Sequence, residues 1–442
     1  MIRLGTHYLE PRRLGFFVAE EAALTVAFLV AASAAATLLG HPAAPGRLLA
    51  EALLVGLLAQ AALSLADLHD LRVALEDAAS GRRLLHVLGA LLLVAGTALA
   101  LRPLAGDPAS ALAGLSAGCL ALVGARAALP ALARRVSLHD RVFLVGEGQA
   151  ARRLLREVSR EGRVEVVGFC GPRSTDLAAK ARAASANVVV VATDDRRGMP
   201  IDELLRCRTD GLEVMEAAQF AARALQRLPV DLVKPADLVY GGGFERPVWV
   251  RIGRRAISVG AALALLILTA PLLALVAIAI KLDSDGPVLF RQVRTGLGGR
   301  PFEMLKLRTM TVGAEAAGAA WAREGDPRVT RVGKWLRRFR VDELPQLINV
   351  LRGEMELVGP RPERPEFCAV LAKKIPYFDL RTLVPPGITG WAQVRYPYAA
   401  SVEEAREKLQ YDLYYVRHLS LGFDLLILLM TARTILLGRG AR

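Results

Sequence analysis

Two adjacent carboxylates, Asp342 and Glu343, sit in the run VDELPQLINVLRGEMELVGPRPERPEF, with Arg337, Arg338 and Arg340 just upstream. Leu344, Leu347, Ile348 and Leu351 recur at helical spacing, so an amphipathic helix follows the pair. Pro345 is tolerated in the first turn of a helix, where its missing N–H has no partner, and it disfavours helical geometry at Leu344. The pair is therefore expected at a helix N-terminus, where the dipole helps to keep a carboxylate ionised. An ionised Asp among arginines is a usable nucleophile toward phosphorus, because the cations screen the phosphate charge. The same residues could instead hold Mg²⁺ bridging a diphosphate. The plainer alternative is a helix cap with salt bridges to Arg337 or Arg340, and local physics alone favours it.

A second basic cluster lies in GPVLFRQVRTGLGGRPFEMLKLRTM. Arg291, Gln292 and Arg294 fall on a strand-like run, followed by glycines at 296, 298 and 299 and then by Lys306 and Arg308. Glycine turns beside basic side chains suit a diphosphate. An ordinary β-hairpin on a basic surface reads equally well.

The surrounding chain must position these groups. It has 442 residues, 53% of them hydrophobic, a formal net charge of +14 and a mean hydropathy of +0.34. That combination points to a membrane protein facing anionic headgroups or anionic substrates. No long Lys/Arg run with interleaved aromatics occurs, which argues against nucleic acid. Cys119, Cys170, Cys207 and Cys368 are scattered without a CxxC pair, so neither zinc nor a disulfide framework is indicated. The N-terminus does not read as a cleavable signal.

Four apolar segments, at 16–40, 48–68, 84–101 and 109–130, are each near the ~20 residues of a membrane-crossing helix. Arginines at 3, 12, 13, 72, 82, 83, 134 and 135 concentrate on one side of such a bundle, which puts the N-terminus, the middle loop and everything after 131 in the cytoplasm. Residues 136–240 follow as an α/β module. RVFLVGEGQAARRLLREV reads as strand, glycine turn and helix, and VEVVGFC and ANVVVVATDD read as buried parallel strands. Gly146, Gly148 and Ala151 form a GxGxxA turn that could seat a pyrophosphate. No acidic residue closes the second strand, so a Rossmann-like structural or regulatory module is expected rather than a dinucleotide site.

After a glycine-rich linker, Arg251, Arg254 and Arg255 flank a fifth apolar stretch, 256–280, with Pro271 in its middle. A helix that bends there and returns to the same face is expected, keeping residues 281–442 on the side of the 136–240 module; the alternative is a proline-kinked helix that spans the bilayer and puts the two on opposite sides. The final apolar helix, 421–438, is expected to lie in the membrane interface.

Residues 245–442 closely resemble the bacterial sugar transferases, the monotopic polyprenyl-phosphate phosphoglycosyl transferases. The resemblance rests on GPVLFRQVRTGLGGRPFEMLKLRTM, LRRFRVDELPQLINVLRGEMELVGPRP, VPPGITGWAQV and YDLYYVRHLS, in that order. The whole chain is similar to the long form of the family, with a helical membrane region at 1–135, the Rossmann-like domain at 136–240 and an α/β-type catalytic domain at 241–442. It is also similar to exopolysaccharide initiators found with PEP-CTERM sorting systems. The resemblance implies a multi-pass inner-membrane enzyme that transfers sugar-1-phosphate from a cytoplasmic UDP-sugar to undecaprenyl phosphate, releasing UMP, with Mg²⁺. It implies Asp342 as nucleophile, with Glu343 as metal ligand or base. It puts Lys306, Arg308 and Arg337 near the diphosphate, Gly359, Pro360, Arg361 and Pro362 in a substrate-binding turn that shapes the pocket, and Asp412 and Tyr415 in a further shared motif. The family's helix usually breaks at Ser-Pro, whereas Ala270–Pro271 stands here.

Two other functions compete. A membrane-anchored nucleotide-sugar oxidoreductase would use the GxGxxA turn for NAD. A non-enzymatic scaffold would use Asp342 and Glu343 only as a cap. The 136–240 module could also serve as a homodimer contact.

Overall fold

The computed structural model describes residues 2–4, 7–9, 11–40, 45–65, 108–135, 140–159, 164–195, 197, 199–244, 247–314, 326–396 and 401–436. The apolar segment expected at 84–101 lies outside the described residues. Two short strands, β1 (Ile2–Leu4) and β2 (His7–Leu9), pair near the N-terminus.

The chain divides into two compact units. The first contains helices α1 (Pro11–Leu38), α2 (Pro45–Leu65) and α3 (Pro108–Arg135). They pack through Phe28, Ala32, Leu48, Ala52 and Leu115. Small residues at these contacts let helix backbones approach closely, as membrane helices require. Ala19–Leu38 is long and apolar enough to cross a bilayer.

The second unit begins with a parallel sheet of β3 (Asp140–Val145), β4 (Val164–Cys170), β5 (Val188–Val191) and β6 (Glu213–Glu216), in the order β4-β3-β5-β6. Alternate residues serve opposite faces, as the period of a strand dictates. Val142, Leu144, Val188 and Val190 meet α4 (Gln149–Ser159) and α7 (Ala217–Leu225). Phe143, Val145, Val189 and Val191 meet α5 (Leu177–Ala183) and α6 (Ile201–Thr209). The run of four valines is buried on both sides, as read from sequence. Strand β4 is different: it is the sheet edge, with Phe169 76% exposed, so VEVVGFC is not a buried strand.

After the short helix α8 (Pro235–Val239), helix α9 runs from Val248 to Asp283 without interruption at Pro271. An antiparallel hairpin of β7 (Leu289–Thr295) and β8 (Pro301–Leu307) follows, as its glycine spacing suggests. Next come α10 (Arg331–Arg338), α11 (Gln346–Arg352), β9 (Glu356–Val358), α12 (Pro365–Lys374), β10 (Gly387–Thr389), α13 (Trp391–Arg395), α14 (Val402–Arg417) and α15 (Leu421–Leu436). Strands β9 and β10 pair in parallel. At Gly359 an added Cβ would lie 2.5 Å from the Pro385 carbonyl oxygen, so only glycine allows this approach.

Two arginines read as membrane flanks have structural roles instead. Arg254 is buried; its Nε donates to Asp424 at 2.6 Å, and its Nη2 donates to the Val358 carbonyl and the Tyr415 hydroxyl. Arg255 donates to the Val350 and Leu351 carbonyls at the C-terminus of α11, which suits a cation. Helix α15 buries Phe423 and Ile427 and exposes Leu425 and Leu429, so it has one inward and one outward apolar face.

Candidate active site

Helix α10 starts with Thr330 accepting from the Gly333 N–H at 3.0 Å. It ends at Phe339, and Arg340 then takes a left-handed φ of 54°. A non-glycine residue there is uncommon and costs about 1 kcal/mol or more. The reversal leads into a 3₁₀ turn, Val341–Glu343, which carries the acidic pair. Leu344 is helical, with φ −56° and ψ −35°, contrary to the expectation set by the following proline. Its N–H bonds the Val341 carbonyl and its carbonyl accepts from Leu347, so the turn runs directly into α11. These bonds, and packing of Leu344 against the core, outweigh the local preference.

Asp342 and Glu343 are both 8% exposed. Neither accepts a backbone N–H as a helix cap would. Arg361 Nη2 donates to Glu343 Oε1 at 2.8 Å, Lys306 Nζ lies 3.5 Å from the same oxygen, and Arg340 Nη1 lies 3.3 Å from Oε2. Among the described residues no hydrogen bond or ion pair holds the Asp342 carboxylate. The two carboxylates thus differ: one is clamped and the other is buried but unengaged.

Their acidities separate accordingly. Burial raises the Asp342 carboxyl, and the charge of Glu343 raises it further, against the pull of Lys306, Arg337 and Arg361. Burial would also raise Glu343, but Arg361, Lys306 and Arg340 outweigh it and hold Glu343 well below the usual carboxylate range. Burial lowers Lys306 despite Glu343 beside it. Four cations, Lys306, Arg337, Arg340 and Arg361, surround two anions. The surplus positive charge is what a bound diphosphate would neutralise.

The sequence-derived residues do not all converge. Lys306 and Arg361 meet at Glu343. Arg337 donates to Thr309 Oγ1 at 2.9 Å and acts on Asp342 through its charge. Arg308 instead donates to the Ser284 and Asp285 carbonyls just past the end of α9. Asp412 is 2% exposed and accepts from Arg381 at 2.8 Å, so it stands behind the site. Arg381 also donates to the Arg361 carbonyl at 2.9 Å, and this links Asp412 to the residue that clamps Glu343. Arg381 was not singled out from the sequence, nor was Glu363, which pairs with Lys408 at 2.8 Å. No local pattern marks either residue.

The glycine turn of the parallel sheet is occupied by the protein itself. Asp194 accepts from the Gln149 N–H at 2.7 Å and the Ala150 N–H at 3.0 Å. A Cβ at Gly148 would fall 1.9 Å from the Asp194 carboxylate. The glycine therefore admits a carboxylate where a pyrophosphate would sit, which counts against the NAD reading.

Among the described residues no group of three or more His, Cys, Asp or Glu could hold a metal. Asp342 and Glu343 alone fit Mg²⁺ only if phosphate oxygens and water complete the shell, a usual arrangement for this ion. The unengaged Asp342 carboxylate is compatible with that.

These features define an α/β protein with long apolar helices and a buried carboxylate pair ringed by cations. Residues 249–438 match the model of the bacterial sugar transferase family. Over 249 residues the chain is 42% identical to the UDP-N-acetylgalactosamine-undecaprenyl-phosphate N-acetylgalactosaminephosphotransferase of Aeromonas hydrophila, covering 56% of this chain and 58% of that protein. It is 45% identical over 229 residues to the UDP-glucose:undecaprenyl-phosphate glucose-1-phosphate transferase of Caulobacter vibrioides, covering 51% and 85%. It is 34% identical over 348 residues to the undecaprenyl-phosphate glucose phosphotransferase of Komagataeibacter xylinus, covering 73% and 60%. The chain belongs to the bacterial sugar transferase family. It spans about three-fifths of the length of the first and third of these relatives.

Proposed function

We propose that this chain transfers a sugar-1-phosphate from a UDP-sugar to undecaprenyl phosphate, giving undecaprenyl-diphosphate-sugar and UMP. The observation that carries this reading is the contrast between the buried, unengaged Asp342 carboxylate and its clamped neighbour Glu343. A cap would have engaged one of the carboxylates with a backbone N–H, and neither is so engaged. A nucleophile must be ionised, close to cations and free to attack.

The chemistry balances without an added reagent. An Asp342 oxygen attacks the phosphorus that bears the sugar. The bond from that phosphorus to the UMP oxygen breaks, and UMP leaves with the electron pair. A phosphate oxygen of the lipid then attacks the same phosphorus, and the carboxylate is released. Lys306, Arg337 and Arg361 stabilise charge on the transferred group and orient it. Bound with the substrate, Mg²⁺ would neutralise diphosphate charge, with Asp342 and Glu343 as its protein ligands. Asp412 supports the site from behind, through Arg381. The product suits the first membrane step of exopolysaccharide assembly.

The site is read as lying on the cytoplasmic face of the inner membrane of a multi-pass protein, with the parallel sheet as a Rossmann-like accessory domain. Anchoring of α9 supports a helix that enters and leaves on one face. Its first part is fixed by Arg254, Ser258 and Ala262, and its last part by Ile280 and Asp283, all against the same compact unit. The interval 263–279 between these anchors is roughly 25 Å of helix, short of the ~30 Å hydrocarbon core. Pro271 falls in that interval, although the helix is continuous through it.

Purified protein incubated with UDP-glucose or UDP-N-acetylgalactosamine, undecaprenyl phosphate and Mg²⁺ should release UMP and form a lipid-linked sugar. Absence of UMP with every UDP-sugar supplied would refute the reading.

A further inference from the structure

The outer face of α10 is unlike an ordinary solvated surface. Val332 and Leu336 turn inward and pack with Leu273, Val276 and Ile280 of α9. The neighbouring stripe, Arg331, Trp335 and Phe339, follows the same i, i+4 spacing and faces out. Trp335 is 63% exposed and Phe339 53%. Their rings stack with centroids 5.6 Å apart, and the Arg338 guanidinium lies 5.9 and 5.8 Å from the two centroids. Arg331 and Lys334 are exposed on the same helix. On α9, around the residues that α10 packs against, Leu275, Ile278 and Leu282 are 66%, 59% and 84% exposed.

We infer that this stripe is a bilayer docking surface, seated at the headgroup level of an anionic membrane beside the catalytic pair. Three features favour lipid as the occupant. The aromatic stripe adjoins an apolar helix whose outward leucines and isoleucine are uncovered among the described residues. Indole rings with one apolar body and one polar edge collect at membrane interfaces. Arg331, Lys334 and Arg338, all exposed, match anionic headgroups.

The position has a consequence that rests on the transferase reading. Phe339 is three residues before Asp342, so the surface would hold the carboxylate pair near the depth of a lipid phosphate. The docking itself does not depend on that reading, and its test does not measure sugar transfer.

The full chain is reconstituted in phosphatidylcholine–phosphatidylglycerol vesicles with or without brominated acyl chains. Emission of Trp335 is isolated as the difference between the protein and its Trp335→Phe variant. The expected result is loss of more than half of that difference emission with brominated chains and resistance to aqueous iodide. Moving the reporter one turn along the stripe, with Phe339→Trp in the Trp335→Phe background, should reproduce the pattern. Quenching by iodide without quenching by brominated chains overturns the inference. Protection from both quenchers also overturns it, since that would mean cover by protein, such as a second copy of the chain.

Discussion

Arg361 Nη2 donates to Glu343 Oε1 at 2.8 Å, joining the Gly-Pro-Arg-Pro turn to the acidic pair across 18 residues of chain. Lys306 and Arg340 are the other two cations on Glu343, and both sit farther from it. Arg361→Ala should therefore lower kcat for UMP release by roughly 10²- to 10³-fold, the cost of losing one well-placed donor at a charged centre. Arg361→Lys should recover only part of this, because an ammonium lacks the planar fork. Steady-state kinetics with a fixed lipid acceptor would check both.

The raised Asp342 carboxyl predicts a pH dependence. As pH falls, a nucleophile with a raised pKa protonates before an ordinary aspartate does. The acid limb of kcat/KM should thus lie above the ordinary value of 3.8. Glu343 is held well below the usual range and does not protonate in that window. A Glu343→Gln variant should be slower and yet retain an acid limb. A limb at or below 3.8 would contradict the burial of Asp342.

Arg381 and Asp412 form a buried pair behind Arg361. Arg381→Ala leaves Asp412 charged, buried and without this partner, at a cost of about 3–5 kcal/mol. The Arg381→Met, Asp412→Asn double variant should be less destabilised than the sum of the two single variants. It should nevertheless remain slow, because Arg361 has lost its carbonyl anchor. Denaturant midpoints and turnover, measured on the same preparations, separate the two effects.

Glu363 gives the acid-stability prediction. Burial would raise it, but Lys408 and Arg381 outweigh burial and lower it from 4.5 to about 2. A depressed carboxylate contributes stability above its unfolded pKa, here on the order of 3 kcal/mol, which is lost as pH falls from 4.5 toward 2. Lys408→Met should reduce stability at neutral pH and flatten the loss over that acid window. Unfolding midpoints in detergent at several pH values would show it.

Legibility in the sequence followed physical range. Val188–Val191 was readable because an unbroken β-branched run fits only a strand buried on both faces. The hairpin of β7 and β8 was readable from its glycines. The GxGxxA turn was recognised as a turn, but its occupant, Asp194, lies 45 residues from Gln149 and gives no local sign. Arg254 reads as a membrane flank until Asp424, 170 residues later, is placed against it. Arg308 falls one residue past β8, where it meets the carbonyls at the end of α9 rather than the acidic pair. The pairing of Asp412 with Arg381 and the anchoring of Arg361 by Arg381 are likewise tertiary. Asp342 and Glu343 were found because adjacency is a local property. Their division into a free and a clamped carboxylate required three cations from separate segments.

The central claim is that Asp342 takes up the phosphosugar. The most direct measurement is the intact mass of the protein after brief exposure to its UDP-sugar and Mg²⁺ without lipid acceptor. The account predicts one added sugar phosphate per chain, localised by peptide mapping to Asp342, with an equal amount of UMP and no adduct on Asp342→Asn. UMP release that requires the lipid, with no adduct at any time point, would contradict it.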